Sequence, residues 1–143
     1  MNPPPNPPLE VVCALIESNS PDNSEKCLLA AQRSSGHLQG KWEFPGGKVE
    51  SNELPSEALR REIKEELGCD ITILETFPHV DFDYGNGKPI RLMPFLCTTK
   101  DTPIPSEHAA VTQVTIETCD SLDWAEADLP ILDYWKKRRL LLS

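Results

Sequence analysis

Glu62, Glu65 and Glu66 stand at spacing i, i+3, i+4 in the segment REIKEELG. On a helix the three carboxylates share one face close to the C-terminal end, where the macrodipole disfavours anions. Each like-charged pair at that spacing repels by a few tenths of a kcal/mol. Crowded oxygen donors of this kind suit a hard divalent cation, because magnesium takes carboxylate oxygens, keeps some of its water and bridges to substrate phosphates. The chemistry this points to is a half-built metal site, completed by an anionic ligand. The other reading is a solvated acidic surface with Glu57 paired to Arg61 in the favourable order. It accounts for one or two of these glutamates more easily than for three on a single face beside a glycine-rich segment.

The element that must carry the cluster is a helix beginning near Pro55, a residue suited to the first helical position, and ending before Gly68, which suits the left-handed cap. Leu54 is a poor N-cap, so its start is weakly marked. Leu59, Ile63 and Leu67 form the apolar stripe that would dock it. Before it, SGHLQGKWEFPGGKVESNELPSE holds four of the seven glycines and too little periodicity for a helix, so a long functional loop is expected. LEVVCALIE reads as a strand buried on both faces and KCLLAAQRS as a second strand. DITILETF, VDFDY and IRLMPFLC follow as strands, the last two joined as a hairpin across GNGK. Val80, Phe82 and Tyr84 alternate with Asp81 and Asp83, as when one face is solvated. Another strand is expected around residues 111–116, and ADLPILDYWKKRRLLL should form a closing amphipathic helix. Its KKRR run reads as the wet face of that helix rather than a nucleic-acid patch.

The 143 residues suffice for one domain with one core, and apolar residues at 38% with charged residues at 26% fit an ordinary soluble globular protein. MNPPPNPP holds five of the fourteen prolines; residues 1–8 are expected to be a flexible, polyproline-like tail and residues 9–143 a single domain. No run is long and apolar enough to span a bilayer and no signal-peptide pattern opens the chain, so a cytoplasmic location without membrane contact is expected. The five cysteines are scattered, with no C-x-x-C pair, and read as reduced core filler. A net charge of −9 argues against polymeric nucleic acid as a partner. Nothing in the residues points beyond a monomer or homodimer.

From Gly47 to Cys69 the sequence GKVESNELPSEALRREIKEELGC resembles a complete Nudix box, G-x5-E-x7-R-E-U-x-E-E-x-G-U with U a bulky aliphatic residue. Gly47, Glu53, Arg61, Glu62, Ile63, Glu65, Glu66 and Gly68 all match, and Cys69 alone departs, at the last aliphatic place. LLAAQRS, KWEFPGGKVE and ADLPIL extend the likeness to the MutT branch of that family. The resemblance implies an α/β (α+β) fold, an α/β/α sandwich around a mixed sheet. It also implies a metal-dependent pyrophosphohydrolase that converts a nucleoside triphosphate to the monophosphate and pyrophosphate.

The resemblance further implies which residues act. Glu65 and Glu66 would be the main magnesium ligands, with manganese able to substitute, helped by the Gly46 carbonyl and by Glu62 as ligand or base. Arg61 would orient the carboxylates through Glu53, and Glu107 would add a ligand from a loop, the alternative being a solvated glutamate beside His108. Arg33 resembles a phosphate-contacting arginine, and Lys48 is counted with the substrate-binding residues. Glu43, Phe44 and Asp128 would recognise the base. Phe44 reads equally as a core aromatic, and Asp128 as a helix cap. Where MutT itself carries asparagine, an ionised Asp128 would only accept hydrogen bonds, which suits the amino group of cytosine, and ADLPIL resembles the cytidine-directed relatives of MutT. The substrate expected is therefore a cytidine nucleotide, intact or modified, with 8-oxo-dGTP as the alternative. Remaining alternatives are ADP-ribose-like diphosphates and a non-catalytic nucleotide-binding module.

Overall fold

The computed structural model describes residues 7–106 and 108–142, so that most of the expected tail, and Glu107, lie outside the described residues. Its elements run β1 (Leu9–Asn19), β2 (Lys26–Arg33), β3 (Trp42–Glu43), β4 (Gly46–Lys48), α1 (Pro55–Leu67), β5 (Ile71–Thr76), β6 (Val80–Phe82), β7 (Ile90–Thr99), β8 (His108–Val114) and α2 (Leu129–Leu142). Two 3-10 turns, Cys119–Ser121 and Glu126–Asp128, precede α2.

The strands form one mixed sheet with β3, β2, β1, β7 and β5 in order, while β4 joins β1, β6 joins β7 and β8 joins β2. β1 runs parallel to β7 and antiparallel to its other partners. Its residues alternate between two cores, because successive side chains of a strand point to opposite faces. Val12, Ala14 and Ile16 pack with Ala58, Leu59, Ile63 and Leu67 of α1. Cys13 and Leu15 pack with Ile131, Leu132 and Trp135 of α2. The helices thus cover opposite faces, giving the α/β/α sandwich, and each fully buried leucine or isoleucine contributes about 1.5–3 kcal/mol. Trp135 is completely buried, and its indole N–H is satisfied by Glu17 Oε2 at 2.9 Å.

All five cysteines are buried and free, as expected of core filler, and Cys69 fills the last aliphatic place of the box with no exposure. The β6–β7 hairpin forms in the register Val80↔Leu92, Asp81↔Arg91, Phe82↔Ile90, with Asp81 and Arg91 paired at 2.8 Å on its wet face.

Four expectations need correction. The single core expected is divided into two clusters, one beneath each helix. The long loop before α1 contains the short strands β3 and β4, which carry too few residues to show a period. The strand expected at 111–116 instead covers His108–Val114, drawn earlier by its antiparallel pairing to β2. α2 is amphipathic only in its first turns, since Leu140, Leu141 and Leu142 are all exposed beyond the reach of the sheet. No described helix is long and apolar enough to cross a membrane.

Candidate active site

Helix α1 is fastened at both ends. Leu54 offers no capping side chain, and Glu57 compensates by accepting the Leu54 N–H at 3.0 Å. This engages Glu57 at the helix start rather than with Arg61. At the far end Gly68 adopts φ 70, the left-handed conformation glycine enters without strain, and donates its N–H to the Lys64 carbonyl at 3.0 Å. The carbonyls that a helix terminus leaves open are then taken by the segment between β7 and β8. Ile104 N–H reaches Leu67 O at 2.9 Å and Ser106 N–H reaches Glu66 O at 3.0 Å. Ser106 Oγ lies 3.2 Å from Glu65 O and 3.1 Å from Glu66 O. Donors on these carbonyls soften the negative end of the macrodipole beneath the glutamates.

The cation nearest the acidic face is Arg61. Its Nε and Nη2 grip Glu53 in a fork at 2.8 and 3.0 Å, and Nη1 lies 2.8 Å from Glu62 Oε1 and 3.4 Å from Glu65 Oε2. Nη2 also donates to the Lys48 carbonyl at 3.0 Å, tying the helix to β4. Hydrogen bonds from Arg61 draw the Glu53 carboxyl down to about 2. Donating to Glu53, and then to Glu62, raises the guanidinium above its ordinary value. Glu62 in turn lies against Gly47, where a β-carbon would collide with its carboxylate. A larger residue there would have to push the Glu62 carboxylate from its place beside Arg61.

A cavity of about 280 Å³ opens on this arrangement. Its lining brings together Arg33, Glu43, Phe44, Gly46, Gly47, Glu66 and Asp128. Glu53, Glu62 and Glu65 stand outside that lining, grouped around Arg61, and the Lys48 side chain is exposed at the end of β4. Arg33 Nε sits 3.1 Å from Glu43 Oε1 and its Nη1 3.3 Å from the His37 carbonyl. Phe44 is both core and wall: it is 2% exposed, packs on the Trp124 ring at 4.9 Å and still borders the cavity.

Asp128 departs furthest from expectation. Its residue belongs to the 3-10 turn ahead of α2 and is 5% exposed. Its Oδ2 accepts the Phe44 N–H at 2.8 Å, across the fold, and no described hydrogen bond joins its carboxyl to the α2 backbone. Burial pushes its pKa up to about 8; the Phe44 N–H opposes the shift, Glu43 adds to it and Arg33 subtracts. The premise of an ionised acceptor is thus reversed at neutral pH. The neutral acid presents one donor and one acceptor, as asparagine does.

Tyr84, Leu38 and Cys13 also line the cavity and were not singled out as site residues. The alternation in VDFDY placed Tyr84 on the inner face, a signal that could have found it. Nothing in the sequence marks Leu38, which takes an unusual φ of 65 in the loop after β2.

The donors on and beside α1 are hard carboxylate oxygens with a backbone carbonyl, the chemistry that magnesium or manganese prefers. No three acidic, histidine or cysteine side chains form a closed metal cage among the described residues. Magnesium needs no such cage, because it takes one or two carboxylates and completes its shell with water and phosphate. The donor set therefore fits such an ion, with Glu66 on the cavity wall.

A family model described as the NUDIX domain matches residues 8–140. The CTP pyrophosphohydrolase of Escherichia coli K12 is 34% identical over 126 residues, covering 87% of this chain and 89% of that protein. An 8-oxo-dGTP diphosphatase of Proteus vulgaris is 44% identical over 61 residues, which span 41% of this chain and 54% of that relative. The solution structure of the E. coli ORF135 protein superposes with a TM-score of 0.76 at 33% identity, covering 92% of this chain and 90% of that one. With the box, the sandwich and the cavity in agreement, the chain belongs to the Nudix family of hydrolases, enzymes that cleave phosphoric anhydride bonds of nucleotide substrates with a divalent metal.

Proposed function

We propose that this chain is a nucleoside triphosphate pyrophosphohydrolase that releases monophosphate and pyrophosphate, acting on a cytidine nucleotide, intact or modified, with magnesium. The observation that carries the reading is one cavity bordered both by Glu66 of the acidic helix and by the buried Asp128 beside Phe44. A polyphosphate at the first and a base at the second are the two ends of a single nucleotide. The overall likeness to a CTP pyrophosphohydrolase supports the cytidine assignment.

In this reading Glu66, Glu65 and the Gly46 carbonyl hold the metal, with Glu62 as ligand or general base. Bound there, the ion would neutralise phosphate charge and acidify a water. Arg61 and Glu53 are positioning residues, since the fork between them fixes where Glu62 and Glu65 point. Arg33 offers positive charge at the cavity wall for a phosphate, and Lys48 serves more loosely from the surface. Asp128 meets the base as a neutral acid; its hydroxyl can donate to a ring nitrogen while its carbonyl oxygen accepts from an amino group.

The same donor and acceptor pair suits 8-oxoguanine, and the local identity to an 8-oxo-dGTP diphosphatase favours this second substrate. A panel of triphosphates with magnesium, scored for monophosphate and pyrophosphate, tests the proposal. Fastest turnover of CTP or a modified dCTP is expected. Turnover of ADP-ribose with inert triphosphates would contradict it.

A further inference from the structure

Tyr84, two residues beyond β6, lines the cavity and packs against the core cluster that α2 covers. Its phenol oxygen accepts the Ala127 N–H at 2.9 Å. Ala127 is 1% exposed, so that amide has no water to turn to if the acceptor is lost. The turn it belongs to is also held by Ala125 N–H on the Trp42 carbonyl at 2.8 Å and by Asp128 N–H on the Ala125 carbonyl at 3.0 Å. Of these ties only the one from Tyr84 comes from the β6–β7 hairpin.

The ring has a second contact. It meets His37 edge to face, with centroids 5.3 Å apart at 82°, and rests on Phe82 at 4.5 Å. His37 belongs to the loop 34–40, which also supplies Leu38 to the cavity wall. One side chain therefore contacts both the loop over the cavity and the turn that carries Asp128. Burial raises the phenol pKa above its ordinary value, so the group stays neutral and its oxygen remains a hydrogen-bonding hydroxyl.

We propose that Tyr84 sets base selectivity in this cavity: its hydroxyl fixes the 125–128 turn, and with it the Asp128 carboxyl, at one distance from a nucleobase lying beside its ring. The inference rests on the nucleotide reading above. A planar base is discriminated by hydrogen bonds only if its partner cannot drift to meet a different edge, and this tie removes that freedom. An aromatic wall adds contact that any base accepts.

The test compares full-length wild type with Tyr84→Phe, which keeps the ring and removes the acceptor. Steady-state kinetics with magnesium on CTP, UTP, GTP and 8-oxo-dGTP should show KM for the best substrate rising about five-fold in the variant, the worth of one buried hydrogen bond. The ratio of best to worst kcat/KM should fall by the same factor, with kcat at saturation preserved. Hydrogen exchange at the Ala127 amide should quicken in parallel. Unchanged selectivity, or unchanged exchange at Ala127, would overturn the proposal. In the wild type, CMP should shift the Ala127 amide resonance and pyrophosphate alone should not; equal shifts from both would also overturn it. A wild type that hydrolyses every triphosphate equally sinks the selectivity inference and leaves the hydrolase reading standing, whereas one inert to all of them defeats both.

Discussion

At Asp128 a single proton decides whether the cavity wall offers a hydrogen-bond donor. Below about pH 8 the buried acid is neutral and can donate; above it the carboxylate only accepts. Asp128→Asn keeps an oxygen for the Phe44 N–H and a donor for the base, so at pH 7 its kcat/KM should stay within about three-fold of wild type. Between pH 7 and 9 the wild-type KM should climb relative to the variant, whose amide does not titrate, and parallel pH profiles would remove Asp128 from base recognition. Glu66 is the residue whose loss should be most damaging, because it alone of the four glutamates on α1 lines the cavity. Glu66→Gln should lower metal-dependent turnover by at least about a hundredfold with the far-ultraviolet spectrum unchanged. The acidic set and the Arg61–Glu53 fork were legible in the sequence, since a complete motif fixes them. The protonation of Asp128 was not, because it depends on burial that only the folded chain creates, against the opposing Phe44 N–H from 84 positions away.

The helix carrying the glutamates is held by contacts that the sequence marked unevenly. Pro55 and Gly68 announced its ends. The hydrogen bonds from Ile104 and Ser106 to its last carbonyls could not be read, because they join segments separated by nearly forty residues. Gly68→Ala meets no neighbour, so its effect is purely conformational: a β-carbon at φ 70 should destabilise the fold by about 1 kcal/mol in chemical denaturation. A loss beneath about 0.3 kcal/mol would show that the left-handed cap is not needed. β3 and β4 were hidden for a different reason, as strands of two and three residues are too short to display alternation and are specified by their partners β2 and β1.

Over the whole molecule the two most perturbed site carboxyls act in opposite directions on stability. Asp128 is raised above its unfolded value of about 3.9, so the folded chain retains a proton that the unfolded chain releases as pH rises. Stability should therefore fall between about pH 4 and pH 8, by up to about 1.4 kcal/mol per pH unit from this group, and Asp128→Asn should flatten that slope. Glu53 is depressed, so its contribution is present above the unfolded value of about 4.3 and is lost as pH falls toward about 2. Denaturation curves recorded across pH on both proteins check this, and equal slopes would contradict the burial of an acid at position 128. The helices and β1 were readable from apolar patterns, whereas their layering into a sandwich was implied by the family resemblance. Which residues face one cavity was not readable, since that is set by how β1 brings β4 and β7 together. Everything functional here requires that the cavity accept a polyphosphate and a divalent ion together. Titration calorimetry of the folded chain with magnesium or manganese and a non-hydrolysable triphosphate tests this most directly. Uptake of metal with the nucleotide by wild type, weakened or lost in Glu66→Gln, is the predicted result; no metal uptake by wild type, with or without nucleotide, would contradict it.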